Sequence, residues 1–116
     1  MKKIVYNKDI FVLENQVGDY ELVKLAALKE KEISSSGYVL HSLEASFWCV
    51  LNSTGYAETV LKAVNLGGDT DTTAAIAGGL AGLLYGFENI PEEWINVLAR
   101  KDDITKLCDA LSKKYC

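Results

Sequence analysis

The chain has 116 residues, of which 49% are hydrophobic and 24% charged, the balance of one small globular domain. Its net charge of −4 excludes a general nucleic-acid or anionic-membrane surface, because such surfaces need a basic excess. No apolar run reaches the roughly 18 residues of a membrane helix and no signal-peptide core follows Met1, so we predict a cytoplasmic protein without membrane or nucleic-acid partners.

The hydrophobic pattern predicts an all-α protein, an orthogonal bundle of about five helices. An N-terminal segment, 1–18, has short apolar runs that fit either strand or helix. Beyond it, apolar residues recur at helical spacing and loops rich in Ser, Asn and Gly separate the stretches. The predicted helices are 19–33, 39–51, 56–64 and 74–84, then one that starts near Pro91 and a last one from Asp102. In the last helix we expect Ile104, Leu107, Cys108 and Leu111 to face inward.

The segment 74–84 consists of small and apolar residues only. A helix without a polar face is typical of one that protein surrounds on all sides. Gly78 and Gly82 would each weaken an exposed helix by about 1 kcal/mol, so close packing of neighbouring backbones has to offset them. We therefore predict that this helix is central.

An acidic stretch stands directly before that helix, where Asp69-Thr70-Asp71-Thr72-Thr73 follows Gly67-Gly68. Two carboxylates and up to three hydroxyls form an all-oxygen donor set, which suits a hard cation such as Mg²⁺. The alternative is that one aspartate only caps the helix, which explains one acid better than two.

Two other acidic motifs fit the stretch less well. The nucleophile loop of haloacid-dehalogenase-like phosphatases follows a buried strand, whereas 60–66 has a helical pattern. A calcium-binding EF-hand loop needs further oxygen donors and a terminal Glu, and the residues from Ala74 onward supply none.

The segment 65–82, from Asn-Leu-Gly-Gly-Asp-Thr-Asp-Thr-Thr to Gly-Gly-Leu-Ala-Gly, closely resembles the C-terminal metal motif of ADP-ribosylglycohydrolases, the family of dinitrogenase-reductase-activating glycohydrolase. Ser36-Gly37-Tyr38-Val39 followed by 43–45 resembles another recurring segment of that family, and 90–94 resembles its next helix start. The resemblance covers roughly 20–112 in the order and spacing of the family.

This resemblance implies the C-terminal part of an all-α enzyme that hydrolyses the glycosidic bond between ADP-ribose and a protein side chain or small molecule. The family uses a pair of Mg²⁺ ions, or Mn²⁺ in some members. The resemblance implies that Asp69, Asp71 and Thr72 are metal ligands, and that Gly37 and Tyr38 border the ADP-ribose.

The family's remaining metal ligands come from a hydroxyl-Asp-Asp cluster near the N-terminus, which this sequence lacks. We therefore expect 1–116 to form a single partial domain that binds Mg²⁺ weakly, and we assign no catalytic residue in it. One hypothesis is an enzyme fragment that needs an N-terminal partner segment. The other is an inactive module that binds ADP-ribose or metal, or associates with itself as a homo-oligomer. The sequence leaves open which ADP-ribosyl linkage is cleaved.

Other residue types add few candidates. His41 is the only histidine, so we expect a helix-face or hydrogen-bonded role rather than a metal or triad role. Glu44 is either a paired or solvent-facing acid or a supporting residue behind the acidic stretch. Trp48 and Trp94 are expected to anchor the core, and the three cysteines to be reduced thiols.

Overall fold

The computed structural model describes residues 22–116, and this part of the chain is helical with no strand. The all-α prediction is therefore confirmed, while the predicted N-terminal segment 1–18 lies outside the described residues. Six α-helices are present in 22–116, with short 3₁₀ turns at Glu30–Glu32 and Phe87–Asn89. The helices are α1 (Leu22–Ala27), α2 (Val39–Leu51), α3 (Tyr56–Val64), α4 (Thr70–Tyr85), α5 (Glu92–Asn96) and α6 (Lys101–Tyr115).

Helix α1 ends before the predicted helix 19–33 does, and 19–21 of that prediction lie outside the described residues. It ends at Ala27, and the carbonyl of Leu28 accepts a hydrogen bond of 2.9 Å from the indole Nε1 of Trp48 on α2. A separate 3₁₀ turn follows, in which the Glu32 carboxylate accepts the backbone N–H of Lys29 at 2.7 Å. In a longer helix the Leu28 carbonyl would accept a backbone N–H. Here it accepts the indole N–H of Trp48, which is distant in sequence and therefore invisible to the helical periodicity.

The core lies where α2, α3 and α4 pack against one another, with α1 against α2. Its buried members are Leu25, Trp48, Cys49, Ala63 and Ala77. Trp48 is only 6% exposed, which confirms its predicted role as a core anchor. Trp94 is half-buried, with its ring centroid 6.3 Å from that of Tyr56. All three cysteines are free, and burial raises the pKa of the Cys49 thiol to about 11.

Helix α4 is central, but it is not enclosed on all sides. A Cβ atom on Gly78 would lie 3.4 Å from the Tyr56 hydroxyl, so the glycine does permit the predicted close approach to α3. On the opposite face Ala75, Gly79 and Leu83 are exposed, Leu83 to 70%. The prediction of full enclosure is therefore wrong for the described part of the chain, because α2 and α3 cover only one side of α4.

Helix α6 also departs from expectation. Residues 102–116 are exposed throughout, and Ile104, Leu107 and Leu111, predicted to face inward, are 43%, 63% and 51% exposed. An open, mostly apolar groove of about 630 Å³ runs between α6 and the segment that includes Trp94 and Leu98. The amphipathic pattern therefore predicted the α6 helix correctly, but the apolar face of that helix is not buried in the core. No helix of the described chain is both long and apolar enough to cross a membrane.

Candidate metal and ligand site

Two loops meet at the N-terminal end of α4. The first, which we call the serine loop (34–38), leads into α2. The second, which we call the acidic loop (67–72), comprises the end of the connection between α3 and α4 and the first residues of α4. The backbone N–H of Asp69 donates to the carbonyl of Ser35 at 2.7 Å, and the Ser35 hydroxyl donates to the carbonyl of Gly67. Ser35 is buried, so these bonds form away from water and hold the two loops together.

Glycine is required where the acidic loop touches Ser35. Gly67 and Gly68 have φ angles of +82° and +71°, a conformation that side chains disfavour. A Cβ atom on Gly68 would lie 2.8 Å from the Ser35 carbonyl oxygen, whereas one on Gly67 would meet nothing within 4 Å. Gly67 is therefore required by the backbone conformation of the turn, and Gly68 also by the close contact with the Ser35 backbone.

This difference gives a matched pair of variants. Gly67→Ala should lower the free energy of unfolding by about 1 kcal/mol, because only the backbone conformation is penalised. Gly68→Ala should lower it by roughly 1–3 kcal/mol more, because the loops must also separate. Urea unfolding of both variants measures the difference, and equal losses would show that the loop contact does not constrain the fold.

Asp69 stands at the N-cap position of α4, yet its side chain makes no capping hydrogen bond. Its backbone carbonyl instead accepts the N–H and the hydroxyl of Thr73, at 3.2 and 3.1 Å. The carboxylate points toward the serine loop, where Oδ2 lies 3.0 Å from the place that a Cβ on Gly37 would occupy. The capping alternative therefore does not account for the Asp69 carboxylate.

Asp71 and Thr72 lie exposed in the first turn of α4. The pKa of the Asp71 carboxyl is lowered, first by hydrogen bonding with the Asp69 side chain and next by the Thr72 N–H, which donates to Oδ1 at 2.9 Å. This interaction places the two carboxyl groups near each other, so both are candidate ligands of one cation. Among residues 22–116 no group of three His, Cys, Asp or Glu side chains is placed to hold a metal.

The predicted ligand-binding residues adjoin this carboxylate pair. Gly37 borders Asp69 directly, and Tyr38 follows it as the N-cap residue of α2 with 57% of its surface exposed. The ring of His41 stands edge-on to the Tyr38 ring, with centroids 5.1 Å apart and planes at 85°. The structure therefore places all five residues singled out from the sequence on one pair of contacting loops.

Two buried serines of α2, which were not singled out from the sequence, lie behind the site. The Ser42 hydroxyl donates to the Ser36 carbonyl of the serine loop at 2.9 Å. The Ser46 hydroxyl lies 2.6 Å from the Ser42 carbonyl oxygen and 3.1 Å from the Thr73 carbonyl oxygen in the first turn of α4. Both serines are at most 2% exposed. Their spacing of four residues within an apolar helix was the available signal, since buried hydroxyls need partners.

Glu44 lies on the same helix. Partial burial raises the pKa of its carboxyl, and the nearby His41 limits the rise. This half-buried acid fits the supporting role considered from the sequence, and that role stays a prediction.

Comparison with known proteins places this site in a family. A family model of ADP-ribosylglycohydrolases matches residues 8–116. The chain belongs to the ADP-ribosylglycohydrolase family. The resemblance drawn from 65–82 is thereby confirmed.

The relatives that match this chain are named as ADP-ribosyl hydrolases and glycohydrolases. It is 43% identical over 93 residues to the ADP-ribosylarginine hydrolase Tri1 of Serratia proteamaculans, and the match covers 78% of this chain and 25% of that protein. It is 35% identical over 79 residues to the ADP-ribosyl-[dinitrogen reductase] glycohydrolase of Rhodospirillum rubrum, covering 66% and 27%. It is 53% identical over 57 residues to ADP-ribosylhydrolase ARH3 of Bos taurus, covering 49% and 16%. The chain thus spans about a quarter or less of these relatives.

Proposed function

We propose that this chain supplies one part of a Mg²⁺-dependent ADP-ribosylglycohydrolase site, which cleaves the glycosidic bond between ADP-ribose and a protein side chain or small molecule. The observation that carries the proposal is the junction of the two loops, where Gly37 adjoins the Asp69 carboxylate and the exposed Tyr38 follows Gly37 in the chain. We further propose that the chain is incomplete alone and needs a second segment for hydrolysis.

The oxygen donors of the acidic loop fit a hard divalent cation. Asp69, Asp71 and Thr72 would hold it, and Mn²⁺ could replace Mg²⁺ because both prefer oxygen. When bound, such an ion polarises substrate oxygens and lowers the pKa of water, so that water can attack the anomeric carbon. Each Mg²⁺ requires about six oxygens, and the resemblance implies two ions. The side chains of Asp69, Asp71 and Thr72 should therefore bind Mg²⁺ weakly. Water or another segment would supply the remaining ligands.

The serine loop would bind and orient the ADP-ribose. Gly37 lacks a side chain beside the Asp69 carboxylate, so a ribose hydroxyl can approach there without steric conflict. The exposed ring of Tyr38 offers a face for stacking on the adenine or ribose. We therefore assign these residues to substrate binding and not to proton transfer.

The exposed face of α4 favours a covering segment. Ala75, Gly79 and Leu83 form an apolar stripe that begins one turn beyond the acidic loop. A segment that covered this stripe would reach the acidic loop and could complete its ligand set. The alternative function, an inactive ADP-ribose-binding or self-association module, rests on the same stripe, which a second copy of the chain would cover in a homo-oligomer.

Calorimetric titration of ADP-ribose into the chain tests the proposal. We expect weak binding in millimolar Mg²⁺ that is lost in EDTA. Tyr38→Ala should weaken it about tenfold, given the roughly 1–3 kcal/mol of a base–aromatic stack. Tyr115→Ala, at another exposed tyrosine, on α6, is the control and should bind like the wild type. Absence of Mg²⁺-dependent binding would contradict the proposal.

A further inference from the structure

We propose that His41 is the positioning residue of the ligand loop, holding Tyr38 through a hydrogen-bond relay that runs through Ser36. This assignment rests on the proposed function for its effect on ADP-ribose, because it concerns the loop expected to bind that ligand. His41 was expected from the sequence to have no more than a helix-face or hydrogen-bonded role. Its contacts connect it specifically to the residue that faces the ligand.

The relay has two bonds. The Tyr38 backbone N–H donates to the Ser36 hydroxyl oxygen at 3.3 Å, and the same oxygen lies 2.7 Å from Nδ1 of His41. The Ser36 oxygen accepts from Tyr38, and in the relay that we propose the Ser36 hydroxyl donates to Nδ1, which corresponds to the His41 tautomer with its hydrogen on Nε2. The imidazole therefore fixes the Ser36 side chain, and Ser36 fixes the backbone of Tyr38.

The remaining contacts of the loop are consistent with this assignment. The Ser34 hydroxyl also approaches Nδ1, but at 3.3 Å, so Ser36 is the closer partner of the single lone pair. The Ser42 hydroxyl holds the Ser36 and Tyr38 carbonyls, at 2.9 and 3.3 Å, and anchors the loop to α2 from below. Ser42 thus holds the two carbonyls, and the contact with His41, which is itself exposed, holds the Ser36 hydroxyl that accepts the Tyr38 N–H.

His41 supplies both an acceptor and a ring, and two substitutions separate these features. In His41→Asn the side-chain oxygen takes the approximate place of Nδ1, so the acceptor stays and the ring is lost. In His41→Phe the edge contact with the Tyr38 ring stays and the acceptor is lost. Because position 41 is exposed, both variants keep the core of α2, and a thermal unfolding curve checks that both are folded.

Backbone order measured by ¹⁵N relaxation tests the positioning in the ligand-free chain. The order parameters of 36–38 should stay near the rigid value of about 0.85 in the wild type and His41→Asn, and fall toward 0.6 or below in His41→Phe and Ser36→Ala. Ser34→Ala is the matched control and should leave them unchanged. Loop order equal in His41→Phe and the wild type would overturn the assignment.

ADP-ribose titration then tests the consequence for binding. His41→Phe and Ser36→Ala should each raise the dissociation constant about tenfold, the double variant no further, and His41→Asn should bind like the wild type. Tight binding by His41→Phe would overturn the assignment. If the wild type binds no ADP-ribose, the proposed function fails, and the order parameters alone decide whether His41 positions the loop.

Discussion

Asp71→Ala is expected to abolish Mg²⁺ binding while the chain stays folded. The Asp71 carboxylate is exposed, it interacts with the Asp69 side chain, and its Oδ1 accepts the N–H of the neighbouring Thr72. Removal takes away one of two charged oxygen donors from a site that has few to begin with. The free energy of unfolding should change by no more than about 0.5 kcal/mol, as for surface substitutions in general.

Titration calorimetry with Mg²⁺ and urea unfolding of the same preparations measure the two effects. Asp109→Ala, at an exposed aspartate on α6, is the matched control and should take up Mg²⁺ like the wild type. Asp69→Ala should also lose Mg²⁺ while its backbone bonds to Ser35 and Thr73 persist. Equal uptake by Asp71→Ala and the wild type would refute the ligand assignment.

Hydrolysis should require a second segment, and this is the other large effect that we expect. Under the proposed function, the chain in Mg²⁺ releases ADP-ribose from an ADP-ribosylarginine peptide no faster than buffer does. Addition of the part of the Serratia proteamaculans relative that this chain does not match should raise the rate at least a hundredfold, since even one missing electrostatic contact costs about 10²–10³ in rate.

The same mixture distinguishes the two proposed functions. The Asp71→Ala chain in place of the wild type should restore no hydrolysis, which shows that the acidic loop takes part. Hydrolysis by the unsupplemented chain would contradict its incompleteness. A mixture that forms a complex yet stays inactive, from a chain that binds ADP-ribose alone, would favour the binding module.

The sequence allowed the site to be predicted where its residues are consecutive in the chain. The acidic loop could be recognised because its glycines, carboxylates and hydroxyls are consecutive, and 65–82 is specific enough to indicate the family. Helices α2 and α3 match their predicted ranges because strong periodicity and flanking loops define both ends. The predicted ligand residues Gly37 and Tyr38 depended on resemblance and not on periodicity.

Contacts between distant residues could not be predicted from the pattern. Ser35 joins the two loops through Gly67 and Asp69, about thirty residues away, and a serine among three gives no sign of that role. The relay from His41 to Ser36 spans only five residues, and it was missed because a hydrophobic pattern does not show how polar side chains are oriented. Amphipathic periodicity also cannot tell which surface covers a helix, so the apolar residues of α6 were wrongly predicted to be buried.

Paramagnetic broadening by Mn²⁺ in the ¹H–¹⁵N spectrum of the chain tests most directly whether the two loops form one cation and ligand site. Added in small amounts, Mn²⁺ should broaden the amide signals of 37–38 and 69–73 first, because both loops lie around the same carboxylates, and excess Mg²⁺ should reverse the effect. Broadening that is confined to the acids of α6, or that spreads evenly over the chain, would contradict the account.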